Sequence, residues 1–374
     1  MNPNGKKQLK QIAKRIIKIQ SKLNLGTSIL TPINLLSERE NFFNSDSYNP
    51  VFTYQASKIE VTDDEIEDLI SEINQLVIET ELKAYFLNVL TKTKILKKAI
   101  LAIGTDNFAA FSNQLFNISQ ADIDRHLDMV PDLEFKKIDH QQLMQAAEIK
   151  AHFEKIILEV YGLDQVKILL DEYNPFTVRV SNKKVVIGRS IKRFSGNVER
   201  LTVHELESHV LRRQSLLQTK NIFHRICAFD QSILFSEGLA VYNEVTTGAI
   251  TETAMNTYLH RLQAVDKINL SFREIYTYLV NFMNQKIAFV MTYRVKRGMS
   301  DTSKPGGYKK DAYYLMGYFR VKEFIDKGGD IKDLYRFAVP ELVTLLRKYN
   351  LASSKFTILP RFLLKEDLLT QELL

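Results

Sequence analysis

Two histidines and a glutamate stand together in the run Leu201-Thr202-Val203-His204-Glu205-Leu206-Glu207-Ser208-His209. Imidazoles hold transition metals, and a carboxylate beside them is a natural acceptor for a proton from water. Metal-binding helices commonly space their histidines four apart, which puts both rings on one face. Here they are five apart. At roughly 100° per residue, the two rings diverge by about 140° on a regular α-helix, too far to share an ion. A π-turn returns them to a common face, because its hydrogen bonds span five residues, and such insertions often mark functional sites. The spacing therefore predicts a π-turn between His204 and His209. The competing reading of this string is two unconnected histidines, with Glu205 and Glu207 on a solvated face.

A second segment, Phe235-Ser236-Glu237-Gly238-Leu239-Ala240-Val241-Tyr242, offers the missing ligand. A catalytic zinc takes three protein ligands and keeps one position open. Glu237 on a second helix completes that set, and the small residues Gly238 and Ala240 suit a helix packing closely against the first. Alternatively, Glu237 is a carboxylate interacting with a helix N-terminus. Cys227 is the single cysteine, which rules out an internal disulfide and a multi-cysteine metal site. It fits a reducing, cytoplasmic compartment.

The surrounding pattern says what positions these residues. Residues 62–103 read as helical, opened by a Thr62-x-x-Glu65 capping box. Residues 105–130 and 138–161 read as further helices, separated at Pro131. Apolar or β-rich runs at 166–170, 176–180 and 185–187 read as strands, the last two joined by the turn Ser181-Asn182-Lys183-Lys184. Helices follow at about 197–218, 231–246, 254–298 and 310–327, with a loop at Ser303-Lys304-Pro305-Gly306-Gly307. The fold class is α+β, predominantly helical, with a small sheet just before the metal-binding helix.

Charge narrows the class of partner. Lysine and arginine number 51 against 44 acids. Seven cations (Lys6, Lys7, Lys10, Lys14, Arg15, Lys18 and Lys22) precede the first acid, Glu38, and account for the whole excess. The remainder is balanced, so no nucleic-acid surface is expected across the body. Leu9, Ile12, Ala13, Ile16, Ile19 and Leu23 recur at helical spacing among these cations, which predicts a core-packed helix with a solvated basic face. That face is a candidate contact for an acidic partner or anionic lipid; a mitochondrial presequence is a further reading. No apolar run is long enough for a transmembrane segment.

His204-Glu205-x-x-x-His209 followed by Ser236-Glu237-Gly238-Leu239-Ala240 resembles the tyrosine carboxypeptidase family, which includes the microtubule-associated enzyme acting on the C-terminal tyrosine of α-tubulin. Asn49-Pro50-x-Phe52-x-Tyr54, Arg212 and Lys310-Asp311-x-x-Tyr314-x-x-Gly317 resemble further family segments, so the likeness spans about 45–325. The chain departs from the family's usual helix, where Gly-Thr stands at the positions of Glu207 and Ser208, and from its usual Gln before the glutamate, where Ser236 stands. Neither change removes a ligand, though Glu207 adds a negative charge able to compete for the metal.

The resemblance implies a zincin-like metallopeptidase core in which His204, His209 and Glu237 hold Zn2+ and Glu205 is the general base. Tyr314 is the first candidate for an oxyanion donor and Tyr242 the second; core packing is the ordinary alternative for each. A carboxypeptidase must grip a free carboxylate, which suits arginine. Arg212 ranks first, followed by Arg189 and Arg213, with an ordinary helix-surface role as the alternative for Arg212. Strand 185–189 is a candidate for pairing with substrate backbone. The implied substrate is a protein or peptide C-terminus, possibly acidic, ending in Tyr or Phe. The alternatives are a zinc endopeptidase or aminopeptidase, and a non-enzymatic zinc-containing binding protein using its basic helix. The expected organisation is a basic helix and connector at 1–44, a helical part at 45–160, the metallopeptidase core at 161–330 and a helical extension at 331–374.

Overall fold

The computed structural model describes residues 3–129, 135, 142–172, 178–181, 183–352 and 357–364. The expected break at Pro131, the first residues of strand 176–180, Asn182 of the turn and the end of the C-terminal extension lie outside them. The protein is α+β and mostly helical, with two small sheets among the described residues. No helix among the described residues is long and apolar enough to cross a membrane. The chain forms two compact units, each drawn from three stretches: 1–131, 226–233 and 256–315 make the first, and 132–225, 234–255 and 316–374 the second.

In the first unit, helix Pro3–Lys22 buries Leu9, Ile12, Ala13, Ile16 and Ile19 and leaves its lysines in solvent, as its periodicity predicts. Thr62 caps Asp63–Gln75 through the expected box: its hydroxyl accepts from the Glu65 amide, and the Glu65 carboxylate accepts from the Thr62 amide. Three expected long helices are each divided. The 62–103 run stops at Leu76, whose extended backbone precedes Thr80–Leu101. The 105–130 run breaks where Asn117 takes a left-handed φ of 45° and Ser119 caps Gln120–Asp128. The 254–298 run restarts at the Ser271–Glu274 capping box and again at the Asn284 cap. Local side-chain caps override a continuous apolar pattern in these last two cases.

The outer family-like segments have structural work here. Phe52 is buried, with its amide bonded to the Ser300 carbonyl at 2.8 Å, and the Tyr54 hydroxyl accepts from the Gly298 amide at 2.7 Å. Asp311 is fully buried and takes both nitrogens of the Arg294 fork, at 2.5 and 2.8 Å. Burial alone would raise the Asp311 pKa, but the Arg294 guanidinium outweighs it and holds the carboxyl well below the usual range.

In the second unit, strands β1 (Leu143–Gln145), β2 (Lys167–Asp171), β3 (Val178–Val180), β4 (Lys184–Gly188) and β5 (Lys192–Phe194) form two sheets. β1 pairs antiparallel with β5. The other sheet has the order β2–β4–β3, with β4 parallel to β2 and antiparallel to β3. Ile168, Val185 and Ile187 are buried, and helix Ala146–Lys155 packs on this sheet. The sheet order corrects one expectation. β4 is the central strand, hydrogen-bonded on both sides, so the 185–189 strand has no free edge to offer a substrate. The edge strand lying against the histidine helix is β3.

A second correction concerns Gly238. It does not face the histidine helix; it meets Gly317 of helix Tyr313–Asp326. A Cβ on Gly238 would fall 2.2 Å from the Gly317 carbonyl carbon, and one on Gly317 would fall 2.3 Å from the Leu234 carbonyl oxygen. Backbone meets backbone, so neither helix has a flexible side chain to move aside. Gly317→Ala is therefore expected to destabilise the protein by about 1–3 kcal/mol through overpacking, read as a lowered denaturant midpoint with an unchanged slope.

Candidate metal centre

The histidine helix runs without a break from 195 to 218, but its middle is not α-helical. Thr202–Val210 is a π-helix of nine residues, flanked by Ser195–Leu201 and Leu211–Gln218. The expected π-turn is present and longer than a single-turn bulge. The Leu211 amide bonds to the Leu206 carbonyl, and the Ser208 hydroxyl donates to the Val203 carbonyl at 2.7 Å; both bonds span five residues. Asn243 Nδ2 donates to Ser208 Oγ at 2.8 Å and to the Tyr335 hydroxyl at 2.9 Å, while that hydroxyl donates to the Glu207 carbonyl at 3.0 Å. Ser208, one of the departures from the family-like string, thus stitches the π-register through its side chain.

This register brings the His204 and His209 ring centroids to 4.9 Å. Glu237, on helix Phe229–Thr246, places Oε2 3.8 Å from His204 Nε2 and 3.6 Å from His209 Nε2. Donor atoms of all three side chains lie within 4.8 Å of one another. Two donors about 2.05 Å from one tetrahedral ion would sit about 3.4 Å apart. The separations from Glu237 to each imidazole are close to that value. Two imidazole nitrogens and one carboxylate oxygen are also a donor set suited to a divalent transition metal.

The far edges of both rings are held. His204 Nδ1 lies 2.6 Å from Glu244 Oε1; a carboxylate only accepts, so Nδ1 carries a proton, and Nε2 is the nitrogen turned towards Glu237. Glu244 Oε1 also takes Arg200 Nη1 at 2.9 Å, and Glu244 is fully buried. His209 Nδ1 lies 3.0 Å from Ser236 Oγ. Burial opposes a charged His204, but Glu237, Glu244 and Glu205 outweigh it and push its pKa up to about 10.

Glu205 is half-buried in the same π-segment, beside His204. Glu207 turns elsewhere. It is 1% exposed, and its carboxylate takes the Tyr161 hydroxyl at 2.5 Å and Arg361 Nε at 2.7 Å. Its charge is thereby satisfied by partners outside the His204–His209–Glu237 cluster.

The candidate arginines separate. Arg212 is 6% exposed and donates to the backbone carbonyls of Leu334 and Ala338, so the fork holds the segment around helix Asp333–Arg336. Arg189 pairs with Glu172 at 2.8 Å on the surface, at the end of β4. Arg213 reaches the Val180 carbonyl of β3 at 3.4 Å. Burial lowers its pKa, and the Glu237 carboxylate only partly offsets that shift. The Tyr242 ring lies 6.3 Å from that of Tyr318. Tyr314 belongs to the first unit, where it stacks on Tyr258 at 5.3 Å and carries the Arg261 guanidinium 4.2 Å above its ring.

Sequence reasoning missed Glu244, although it stands seven residues after Glu237 and so falls on the same helix face two turns later. It also missed Arg200 and Arg361, whose partners come from other elements. His209→Ala or Glu237→Ala is expected to abolish stoichiometric metal, measured by elemental analysis of the purified protein. Glu244→Gln is expected to keep the metal but weaken its affinity about 10–100-fold, measured by competition with a chelator.

A model of the microtubule-associated tyrosine carboxypeptidase family matches residues 40–342. No curated protein matches the chain.

Proposed function

The chain belongs to the microtubule-associated tyrosine carboxypeptidase family, and from that membership we propose that it is a zinc-dependent carboxypeptidase that removes a C-terminal Tyr or Phe from a protein or peptide. Membership itself implies carboxypeptidase activity on a protein substrate. The finer reading is supported above all by the convergence of His204, His209 and Glu237, with Glu205 in the same π-segment.

In this reading His204, His209 and Glu237 hold zinc. When bound, the metal supplies Lewis acidity and lowers the pKa of water in its open position towards about 7. Glu205 takes the proton from the attacking water and passes it to the leaving amine as the C–N bond breaks. Glu244 keeps the proton of His204 on Nδ1 so that Nε2 is presented to the metal, and Ser236 orients the His209 ring through its Nδ1. Tyr314 is the proposed donor to the developing oxyanion, with Tyr242 the second candidate.

Substrate backbone has a suitable partner in the edge strand β3. Arg213, which donates to the Val180 carbonyl of the edge strand β3, is the favoured candidate of the three arginines to meet a terminal carboxylate. Arg189 lies further along the sheet, and Arg212 positions the helix rather than the substrate.

The test uses peptides ending in Tyr, Phe or Ala, each with a free or amidated C-terminus. Release of Tyr and Phe, but not Ala, from free-ended peptides is expected, with loss on chelation and recovery on zinc addition. Cleavage of amidated peptides would identify an endopeptidase or aminopeptidase instead. Glu205→Gln is expected to lower kcat by about 10²–10⁴-fold while zinc content is unchanged; wild-type turnover in that variant would remove Glu205 from the role of base.

A further inference from the structure

The family match ends at residue 342, yet the described chain continues through 357–364. That short segment lies along the histidine helix and is fastened to it twice. Ser215, in the α-helical end of the helix, exchanges two hydrogen bonds with Ile358: its hydroxyl donates to the Ile358 carbonyl at 3.1 Å and accepts from the Ile358 amide at 2.9 Å. Two turns earlier, inside the π-segment, Glu207 takes Arg361 through Nε at 2.7 Å on one oxygen and Nη2 at 3.2 Å on the other. The Tyr161 hydroxyl donates to Glu207 and accepts from the Arg361 amide at 3.0 Å, which closes the network. Leu363, in the same segment, is buried.

Glu207 sits between the two histidines, and its carboxylate has almost no contact with solvent. A lone buried carboxylate is strongly unfavourable unless paired with a cation and hydrogen-bonded. Among the described residues, Arg361 is the cation paired with it within 4 Å. Without that partner, the easiest way to hydrate Glu207 is to rotate or unwind the π-turn that carries it. The same turn sets the separation of His204 and His209. Arg361 itself is held charged by Glu207 and, more weakly, by Glu199.

We propose that the C-terminal segment 357–364, beyond the part matched to the family, is a strap that holds the metal-binding π-helix in register, with Arg361 as its positioning residue. Arg361 touches no ligand. It acts through Glu207, whose buried charge the strap neutralises beside the Tyr161 hydroxyl. The inference rests on the zinc reading of His204, His209 and Glu237, but its physical core, the stability of the π-segment, does not need a metal.

The experiment uses the full chain as wild type, Arg361→Met and the double variant Glu207→Gln with Arg361→Met. Hydrogen–deuterium exchange of peptides covering 202–210 is measured without metal, and zinc affinity by chelator competition. Arg361→Met is expected to exchange at least about tenfold faster in 202–210 than wild type, to bind zinc about 10–100-fold more weakly, and to lose kcat more than it changes KM. The double variant, with no buried charge left alone, is expected to recover zinc affinity to within about threefold of wild type. Wild-type exchange and affinity in Arg361→Met would overturn the proposal. A double variant as impaired as the single one, folded or not, would overturn it too. A wild type that takes up no zinc, yet shows the expected exchange pattern, would refute the metal reading and leave the strap standing.

Discussion

His204 and His209 face one point only because the backbone between them is hydrogen-bonded five residues apart instead of four. A π-segment is rarely favoured by local energetics, and one of nine residues needs outside support. The structure shows where that support comes from. The Ser208 hydroxyl bridges back to Val203, Asn243 and Tyr335 brace Ser208 and the Glu207 carbonyl, and Arg361 braces the Glu207 side chain. The Ser208 bond lies within the π-segment, whereas Asn243, Tyr335 and Arg361 come from other stretches of the second unit. The site is therefore a product of tertiary packing imposed on a helix whose preference would be to splay its histidines apart.

The third donor obeys a different constraint. Helix Phe229–Thr246 carries three groups at helical spacing: Ser236 beneath His209, Glu237 facing both imidazoles, and Glu244 behind His204. Glu237 and Glu244 lie on opposite edges of the same imidazole, so one helix face both supplies a donor and fixes a tautomer. Arg200 balances the buried charge of Glu244 from the helix that carries the histidines. The two helices are thus joined at the centre by reciprocal polar contacts rather than by apolar packing alone.

Much of this was legible in the residues. The five-residue spacing demanded a π-turn because a regular helix places the rings about 140° apart, and the apolar periodicity of Pro3–Lys22 placed its core face correctly. What was not legible depended on partners distant in sequence. The order β2–β4–β3 moved the free edge from β4 to β3, and no local pattern reveals which of three short strands lies in the middle. Arg212 ranked first as a carboxylate grip because it belongs to a family-like segment and its fork suits a carboxylate, whereas the acceptors of that fork in the structure are carbonyls more than a hundred residues away. Gly238 was legible as a close contact but not as a contact with Gly317. The break points of the first-unit helices were readable in hindsight from Ser119, Ser271 and Asn284, whose caps compete with an unbroken apolar stripe.

The glycine-to-glycine contact has a mechanical corollary. Two helices touching backbone to backbone can rock about that point far more easily than they can separate, so it works as a pivot. Glu237 is one residue from the pivot, with a lever arm of about 1.5 Å along the axis, whereas Glu244 is six residues away, at about 9 Å. A tilt of a few degrees leaves the first carboxylate almost stationary and shifts the second by a large fraction of an ångström. Breathing motions of this helix would thus spare the Glu237 oxygen that faces the two imidazoles and act on the hydrogen bond between Glu244 and His204.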